Sequence, residues 1–345
     1  MLVARQNNDI KFAVLLSMLL LWGNAQADST RSVEKKAINF ATLTIENDII
    51  AGDDGGYTNG LAFSWAHGGF DVFNDSNTPA WINSLTNNLY ISTMGGKRRA
   101  VSYMMAQGMQ TSSDIERKEL VEDEPPYAGE LIWKATLYAF DDSVSDRLSL
   151  TLGMVGPASG AEHAQTFVHK ITGSDEPEGW DHQLENEPVF RLGAQRFWNL
   201  WRSSPNNDTQ LEMLGNGQIG IGNLKSDIGT GLGFRWGNNL ASSFATASTI
   251  PGREINPLAG LSGLNWNVFI HVTGLYVANN IAIDGNTFES SHSVPLKHGQ
   301  AIGSLGFALN RGSWGLVISA ARSSDQYEGQ EDKSKFGSFS FTYRY

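Results

Sequence analysis

The sequence predicts an all-β protein, an antiparallel outer-membrane β-barrel of about twelve strands with a short helical insert at its rim. Three observations support this prediction. Bulky apolar and polar residues alternate in the C-terminal segment "FGSFSFTYRY", the chain begins with an export signal, and glycine and aromatic residues are abundant while only 18% of residues are charged. Alternation with period two is the pattern of a strand with one apolar face.

The first residues are predicted to form a secretory signal peptide, 1–27. A basic start leads into an apolar run at 12–22, and the following "NAQA" has the small-residue pattern of a cleavage site after Ala27. The apolar run is short for a transmembrane helix, although an uncleaved membrane anchor is the alternative. Cleavage leaves residues 28–345 as a single barrel domain.

Composition excludes several functions. The net charge of −11 argues against nucleic acid as a partner. The absence of cysteine excludes disulfides and a thiol nucleophile. The sequence also contains no nucleophile-elbow G-x-S-x-G, no H-E-x-x-H zinc helix and no phosphate loop.

The C-terminal segment has two distinct faces. One is aromatic, with Phe339, Phe341, Tyr343 and Tyr345, and the other is polar, with Ser340, Thr342 and Arg344. A soluble sandwich could bury the aromatic face, whereas a membrane barrel turns it to lipid and keeps the polar face in the lumen. The aromatic C-terminus after an export signal is typical of chains inserted by the outer-membrane assembly machinery, so we expect this strand to pair with the first.

Further strands follow the same pattern. A tight turn, "NRG" at Asn310–Gly312, joins two alternating segments around 304–309 and 314–319. Additional strands are predicted at 39–47, 59–67, 99–109, 130–139, 147–155, 188–196, 209–221, 230–238, 264–276 and 279–285. An even number of strands, with tight turns at one end and long loops at the other, fits a bacterial barrel.

The stretch "GPASGAEHAQTFVHKITGSDEPEGWDHQLENEP" does not alternate. Ser159 and Glu162 have the spacing of a capping box and predict a helix over 160–172. Its apolar arc contains Ala161, Ala164, Phe167, Val168 and Ile171, and its polar arc contains Glu162, Gln165, Thr166 and His169. We expect the apolar arc to pack on the barrel; the alternative is a simple rim cap with His169 in solvent.

A second polar cluster lies in "IENDIIAGDDGGYTNG". The first predicted strand ends in Glu46, Asn47 and Asp48, and the next begins at Tyr57-Thr58. Carboxylate, amide and hydroxyl oxygens are the ligands that Ca²⁺ prefers. Ordinary turn chemistry is the alternative, because Asn, Asp and Gly are common in turns.

Four segments together resemble a known family. "ENDIIAGDDGGYTNG", "PPYAGEL", "GPASGAEHAQTFVH" and "GWDHQLENEP" occur in the order found in outer-membrane lipid A 3′-O-deacylases, the LpxR-like proteins. The resemblance implies an outer-membrane barrel of twelve strands that hydrolyses, with Ca²⁺, the ester holding the 3′-linked acyloxyacyl chain of lipid A. It also implies lipid A, or lipopolysaccharide, as the partner in the outer leaflet. We expect a monomer.

The resemblance implies roles for particular residues. Its catalytic pattern falls on Asn47, Asp48, Thr58, Gln165, His169 and Asp175. Asp48, with Asn47 and Thr58, is the implied metal site, and Arg117 and Lys118 are the implied phosphate contacts. Glu176 stands beside Asp175 and is a second candidate for the acid partner of His169.

Those residue types suit ester hydrolysis. A histidine can take a proton from water near neutral pH, and a neighbouring carboxylate can orient its ring. A bound cation can polarise the ester carbonyl. Two further functions stay open at this stage: a non-enzymatic barrel, either a channel or a structural protein, and an outer-membrane phospholipase.

Overall fold

Twelve antiparallel strands close into one barrel, which confirms the predicted fold class. A computed structural model describes residues 38–47, 57–74, 77–172, 176–206, 208–250, 263–331 and 333–345. The strands are β1 Ile38–Asn47, β2 Tyr57–Phe70, β3 Arg98–Gln110, β4 Ala128–Phe140, β5 Val144–Val155, β6 Glu187–Ser203, β7 Gln210–Ile221, β8 Lys225–Gly237, β9 Leu264–Asn280, β10 Gly299–Arg311, β11 Trp314–Ser323 and β12 Lys335–Arg344. The predicted signal peptide lies outside the described residues, so it stays a prediction.

The C-terminal strand has the predicted faces and partner. On β12, Ser340 and Thr342 are buried in the lumen, whereas Phe341 and Tyr343 are exposed on the outer wall. β12 pairs with β1 along its length, and Thr342 Oγ1 lies 2.8 Å from Thr42 Oγ1. The first and last strands therefore close the barrel and leave no free sheet edge.

Two sequence predictions about local structure are wrong. The segment 279–285 is not a strand of its own, because β9 ends at Asn280 and a short helix, Ile281–Asp284, follows. Its alternating isoleucines imitate a strand, but Ile281 and Ile283 are both buried at the barrel end. The last hairpin turns at Gly312–Ser313, two residues after the predicted start, because Gly312 adopts the left-handed φ of 56° that the turn requires.

Only tight turns were predicted at one end of the barrel. At the end that carries the chain termini, the structure has both short turns and long loops. Three of its five connections are short, but 71–97 and 238–263 are long. The first contains two helices, α1 Ala80–Thr86 and α2 Tyr90–Thr93, and Ile82 and Ile91 pack on Val101 of the outer wall. Within the described ranges, no helix has the length and apolar character that crossing a membrane requires.

The lumen is polar and partly filled. Glu212 accepts a hydrogen bond from Arg202 and another from Arg235, and both arginines form ion pairs with it. The segment 238–250 folds back into the lumen, where the Arg147 guanidinium donates to the Ala247 carbonyl. The short helix Ile281–Asp284, α4 below, enters from the opposite end, where Gln110 Nε2 donates to the Ala282 carbonyl at 3.0 Å.

Candidate functional site

The helical insert forms over the predicted span, and it begins one residue later than predicted. The helix α3 covers Ala161–Thr172 and follows a 3₁₀ turn, Pro157–Ser159. Ser159 Oγ accepts the Ala161 amide hydrogen at 3.3 Å. The Ser159 amide donates to the Gly156 carbonyl at 2.9 Å, so the half of the predicted capping box that needs Glu162 is not formed. The short helix α4, Ile281–Asp284, follows β9 at the same end of the barrel as α3.

The helix α3 packs against the outer wall of the barrel. Met105 and Leu131 are exposed and define the outer faces of β3 and β4. Met109 and Gly129 lie on the same faces by alternation, and they are direct partners across the two strands. Met109 packs against Ala161, and a Cβ placed on Gly129 would lie 2.5 Å from the Ala161 Cβ. A glycine at 129 is therefore what allows the helix to approach the wall.

The face of α3 that meets the wall is only in part the one predicted. The Phe167 side chain is 65% exposed and that of Val168 is 43% exposed, whereas Gln165 is 0% and His169 is 7% exposed. The expectation that the apolar arc packs on the barrel is thus correct for Ala161 and Ala164, which pack with Met109, but wrong for Phe167 and Val168. The side chain of Ile171 lies outside the described part. The buried Gln165 has a hydrogen-bond partner on this face, Trp180, which belongs to the segment after the helix. On the outside of a membrane barrel the surroundings are lipid, so an apolar side chain such as Phe167 can remain exposed there without contact with water.

An indole fixes the glutamine on the buried face. Trp180 Nε1 donates to Gln165 Oε1 at 3.0 Å, and both side chains are buried. The Trp180 ring packs edge-on against Tyr127, with 5.1 Å between ring centroids. Burial raises the pKa of the Tyr127 phenol, so this residue is neutral at pH 7.

Three of the four segments that carry the family resemblance meet here. Leu184 of "GWDHQLENEP" donates its amide to the Tyr127 carbonyl of "PPYAGEL" at 2.9 Å. Gly156 of "GPASG" donates its amide to the Gly129 carbonyl at 3.0 Å. Glu178 donates its amide to the Ile115 carbonyl at 2.8 Å, which ties the loop before β4 to the segment after α3.

The fourth segment reaches the same height on the wall. Asn47 ends β1 on the outer face, is half-buried, and pairs with Asn59 of β2. Asn59 pairs with Met109, which in turn pairs with Gly129, so these four residues form one row across four strands. The pairing of β2 with β3 skips Thr58, the extra residue of a β-bulge. Asp48 and the Thr58 side chain lie outside the described part of the chain.

The predicted charged partners have different positions. Lys118 Nζ lies 2.7 Å from Glu178 Oε2 at the surface, and this hydrogen bond raises the pKa of Lys118. Arg117 is exposed in the same loop. Asp175 lies outside the described residues, and Glu176 is exposed with its Oε1 at 3.9 Å from Lys170 Nζ. Within the described ranges, no three His, Asp or Glu side chains form a group that could hold a metal ion.

Comparison with known proteins gives the family. The chain matches the family described as outer membrane protein LpxR over residues 12–345. It belongs to the LpxR family. Among solved structures, LpxR from Salmonella typhimurium is similar with a TM-score of 0.71 and 17% identity, over 88% of this chain and 99% of that chain. That similarity shows the same fold.

Two autotransporter barrels are less similar. The β-domain of the Bordetella autotransporter BrkA has a TM-score of 0.42 and 10% identity, over 90% of this chain and 98% of that chain. The translocator domain of NalP from Neisseria meningitidis has a TM-score of 0.40 and 10% identity, over 98% and 95%. No curated protein matches the chain. Membership of the LpxR family, together with the closed barrel, places the chain in the outer membrane.

Sequence reasoning on this LpxR-family chain missed three residues of the site. Gly129, Tyr127 and Trp180 hold α3 and its glutamine, yet none of them was predicted to do so. Gly129 could have been predicted from the sequence, because a glycine inside a strand often marks a place where another backbone approaches closely. Trp180 lies beyond the predicted helix, and only the folded chain shows that it meets Gln165.

Proposed function

We propose that this protein is a lipid A 3′-O-deacylase, which hydrolyses the ester holding the 3′-linked acyloxyacyl chain of lipid A with Ca²⁺ bound. Membership of the LpxR family supports a lipid A deacylase role in general. The observation that carries the proposal is the placement of α3. This helix lies on the outer wall with Gln165 and His169 buried towards the wall and Phe167 exposed on another side.

A site on the outer wall suits a lipid substrate. Lipid A lies in the outer leaflet, so its acyl chains run along the apolar wall and its sugars lie at the level of the strand ends. The row from Asn47 to Gly129 stands at those strand ends. An ester between sugar and acyl chain therefore reaches α3 sideways from the membrane without entering the lumen.

His169 is the proposed general base. Its ring takes a proton from water, the water oxygen bonds to the ester carbonyl carbon, and the carbonyl electron pair moves to oxygen. The bond from this carbon to the sugar oxygen then breaks, and the sugar alkoxide receives the proton from His169. Asp175 is the preferred acid partner, because Glu176 is exposed and its carboxylate lies near Lys170.

The residues at the end of β1 fit a hard cation. Asn47 and Thr58 belong to adjoining strand ends, and the β-bulge at Thr58 interrupts the ladder there. Asn47, Asp48 and Thr58 would hold Ca²⁺ through oxygen atoms, the ligand type that this ion prefers. When bound, the ion would polarise the ester carbonyl and stabilise the charge that develops on its oxygen.

Arg117 and Lys118 are the proposed phosphate contacts. Their loop is tied to the segment after α3 by the bond from the Glu178 amide to the Ile115 carbonyl. The Lys118–Glu178 pair is exposed, with 73% of the lysine side chain accessible, and exposed ion pairs are weak. A lipid phosphate can therefore replace Glu178 as the partner of Lys118.

The filled lumen does not favour a channel. The segment 238–250 occupies it from one end and α4 from the other, and between them lies a cavity of about 350 Å³ lined by residues such as Thr44, Lys134 and Thr249. This cavity lies inside the wall, whereas Gln165 and His169 face the wall from outside. The arrangement supports chemistry on the outer surface of the barrel.

Mass spectrometry of lipid A from cells with and without the protein tests the proposal. We expect the protein to remove the mass of the 3′-linked acyloxyacyl chain and to leave phospholipids intact. Lysophospholipids with unchanged lipid A would support the phospholipase alternative. Unchanged lipids of both classes, in membranes that contain the folded barrel, would contradict an enzymatic function.

A further inference from the structure

The helix pair, α1 with α2, lies on the same two strands as α3, towards the end that carries the chain termini. Ile82 and Ile91 pack on Val101 and Leu137, which are buried although they belong to the outer faces of β3 and β4. α3 packs on Met109 of the same outer face, and Val101 and Met109 are about 26 Å apart along β3 at about 3.3 Å per residue. Because strands tilt by roughly 35–45° and the apolar band of a barrel is about 25 Å tall, a helix pair this close below α3 lies within the band.

The wall beside the helix pair is also apolar. Asp146 of β5 and Arg196 of β6 are paired on the outer face, where Arg196 Nε donates to Asp146 Oδ1 at 2.6 Å. α2 contacts β5 here, and Tyr90 lies near this ion pair. On β6, Trp198 and Trp201 are exposed closer to the end with the chain termini than Arg196. Because the apolar wall continues below the ion pair, α2 lies at a level where lipid surrounds the barrel.

The helix pair exposes an apolar surface and carries no charged residue. Its exposed large side chains are Trp81, Leu85, Leu89 and Tyr90. Residues 76–96 contain no Asp, Glu, Lys, Arg or His, whereas the loop 111–127 at the other end contains both acidic and basic residues. A contiguous apolar surface marks a contact with a membrane or a protein, and Trp and Tyr are enriched where a membrane meets water.

One flank of α1 continues the outer wall. The Trp81 ring lies 6.3 Å from the Trp133 ring of β4, and Trp133 lies closer to α3 along β4 than the buried Ala135 does. Leu85 follows Trp81 by four residues and shares its flank. Asn83 is about 160–200° round the helix from both, on the opposite flank. α1 thus turns its apolar flank towards the middle of the membrane and its polar flank towards the periplasm, as an interfacial helix does.

Arg99 of β3 ties the loop to the wall. Its guanidinium is buried and donates to the carbonyl groups of Ser92 at 3.1 Å, Met94 at 2.6 Å and Lys97 at 2.8 Å. The end of α2 is therefore fixed to the strand that follows it, and the helix pair keeps its height on the wall.

We propose that the helix pair is embedded in the periplasmic leaflet of the outer membrane, with Trp81, Leu85 and Leu89 among the acyl chains of its phospholipids. The partner is phospholipid rather than protein, because the surface is continuous with the outer wall and free of charge. The helix pair thus anchors β3 and β4, the two strands that carry α3, at a fixed depth. This inference concerns a surface away from α3 and does not depend on the deacylase function.

Spin labelling of the purified barrel in phospholipid vesicles tests the inference. The chain contains no cysteine, so Leu85→Cys gives a single labelling position. Oxygen dissolves among acyl chains and a nickel chelate stays in the water on both sides of the vesicle, so collisions with each identify the surroundings of the nitroxide. Leu305→Cys on the exposed outer wall of β10 is the lipid reference, and Asp142→Cys in the turn after β4 is the water reference at the end where the helix pair lies. We expect the Leu85→Cys label to lose nickel accessibility to the level of Leu305→Cys and to keep its oxygen accessibility.

Leu89→Cys repeats the measurement, so that one variant that fails to fold does not decide the outcome. Nickel accessibility of both labels at the level of Asp142→Cys would place the helix pair in water and overturn the inference. Shielding from both reagents would show that protein, such as a second copy of the chain, covers the surface, and would also overturn it. The vesicles contain no lipid A, so the result is independent of deacylation.

Discussion

The Ala161 methyl group occupies the space that a side chain on Gly129 would need: a Cβ built there lies 2.5 Å from Ala161 Cβ. Because Gly129 has no side chain, the start of α3 can lie against the outer wall, at the row of residues that runs from Asn47 to Gly129. The position of the proposed base therefore depends on having a glycine, Gly129, in the neighbouring strand β4.

Gly129→Ala should displace α3 without preventing barrel closure. Small misplacements of catalytic groups can cost about 10²-fold in rate, so we expect deacylation to fall by about that factor. The measurement is activity on lipid A in detergent, with circular dichroism to verify the strands. Gly108→Ala is the matched control, because a Cβ on this glycine of β3 meets no atom within 4 Å. Equal activity of the two variants would show that the close approach is not needed.

Phe167→Ser should weaken capture of the membrane substrate. Phe167 is exposed beside the buried face of α3, and we expect acyl chains that run along the outer wall to contact it. Losing part of the burial of a phenylalanine should raise KM roughly tenfold and leave kcat unchanged. Phe288→Ser is the control, because Phe288 is 69% exposed, close to the 65% of Phe167, but lies in the loop after α4. A similar KM for both variants would remove Phe167 from the substrate surface.

Acid should weaken the turn between β4 and β5. Burial alone would raise the pKa of Asp141, but hydrogen bonds from Lys97 and from the Ser143 and Val144 amides lower it from 3.8 to about 2. Because the folded pKa is the lower one, the stabilisation is complete above about pH 4 and is lost as the pH falls through 2.

Denaturant unfolding of Asp141→Asn and wild type at several pH values checks this expectation. The variant should be less stable at pH 7, and the two proteins should converge towards pH 2. Ser143→Ala, which keeps the carboxylate and both amide donors, should retain most of the pH dependence. A stability difference that is the same at pH 7 and pH 2 would contradict the assigned role of the carboxylate.

Removal of Ca²⁺ should abolish hydrolysis without unfolding the barrel. Of the proposed ligands, Asn47 ends β1 and Thr58 lies at the start of β2, and Asp48 follows Asn47 in the sequence, while the barrel is closed by strand pairing elsewhere. Activity should collapse in a chelator and return on adding Ca²⁺, and Asp48→Ala should resemble the chelated wild type. Full activity in the chelator would remove the metal from the mechanism.

The sequence predicts the barrel well because strand alternation is local. Leu305 and Ser304 already show which side of β10 faces outwards, and their burial in the fold agrees. The helix α3 was also predicted from local signals, but of its apolar arc only Ala161 and Ala164 belong to the buried face, whereas Phe167 and Val168 are exposed. An amphipathic pattern indicates burial of the apolar side only where water surrounds the helix, and Phe167 lies at the outer wall of a membrane protein.

Contacts between segments that are distant in the chain could not be predicted from the sequence. Trp180 meets Gln165, and Ala161 meets Gly129, only because strand register and loop packing bring them together. The isoleucines of α4 alternate like a strand, and the tertiary position of this segment decides in favour of a helix. Asp48 and Asp175 lie outside the described residues, so their roles stay predictions.

The central claim is that the buried face of α3 carries the base. General-base catalysis contributes about 10²–10⁴-fold, so His169→Ala should lose at least that much activity while the barrel still folds. His163→Ala is the matched control, because His163 is exposed on another side of the same helix. The measurement is lipid A deacylation by both variants in matched membranes. We expect His169→Ala to be inactive and His163→Ala to be active; a His169→Ala variant with wild-type activity would contradict the role of His169 as the base.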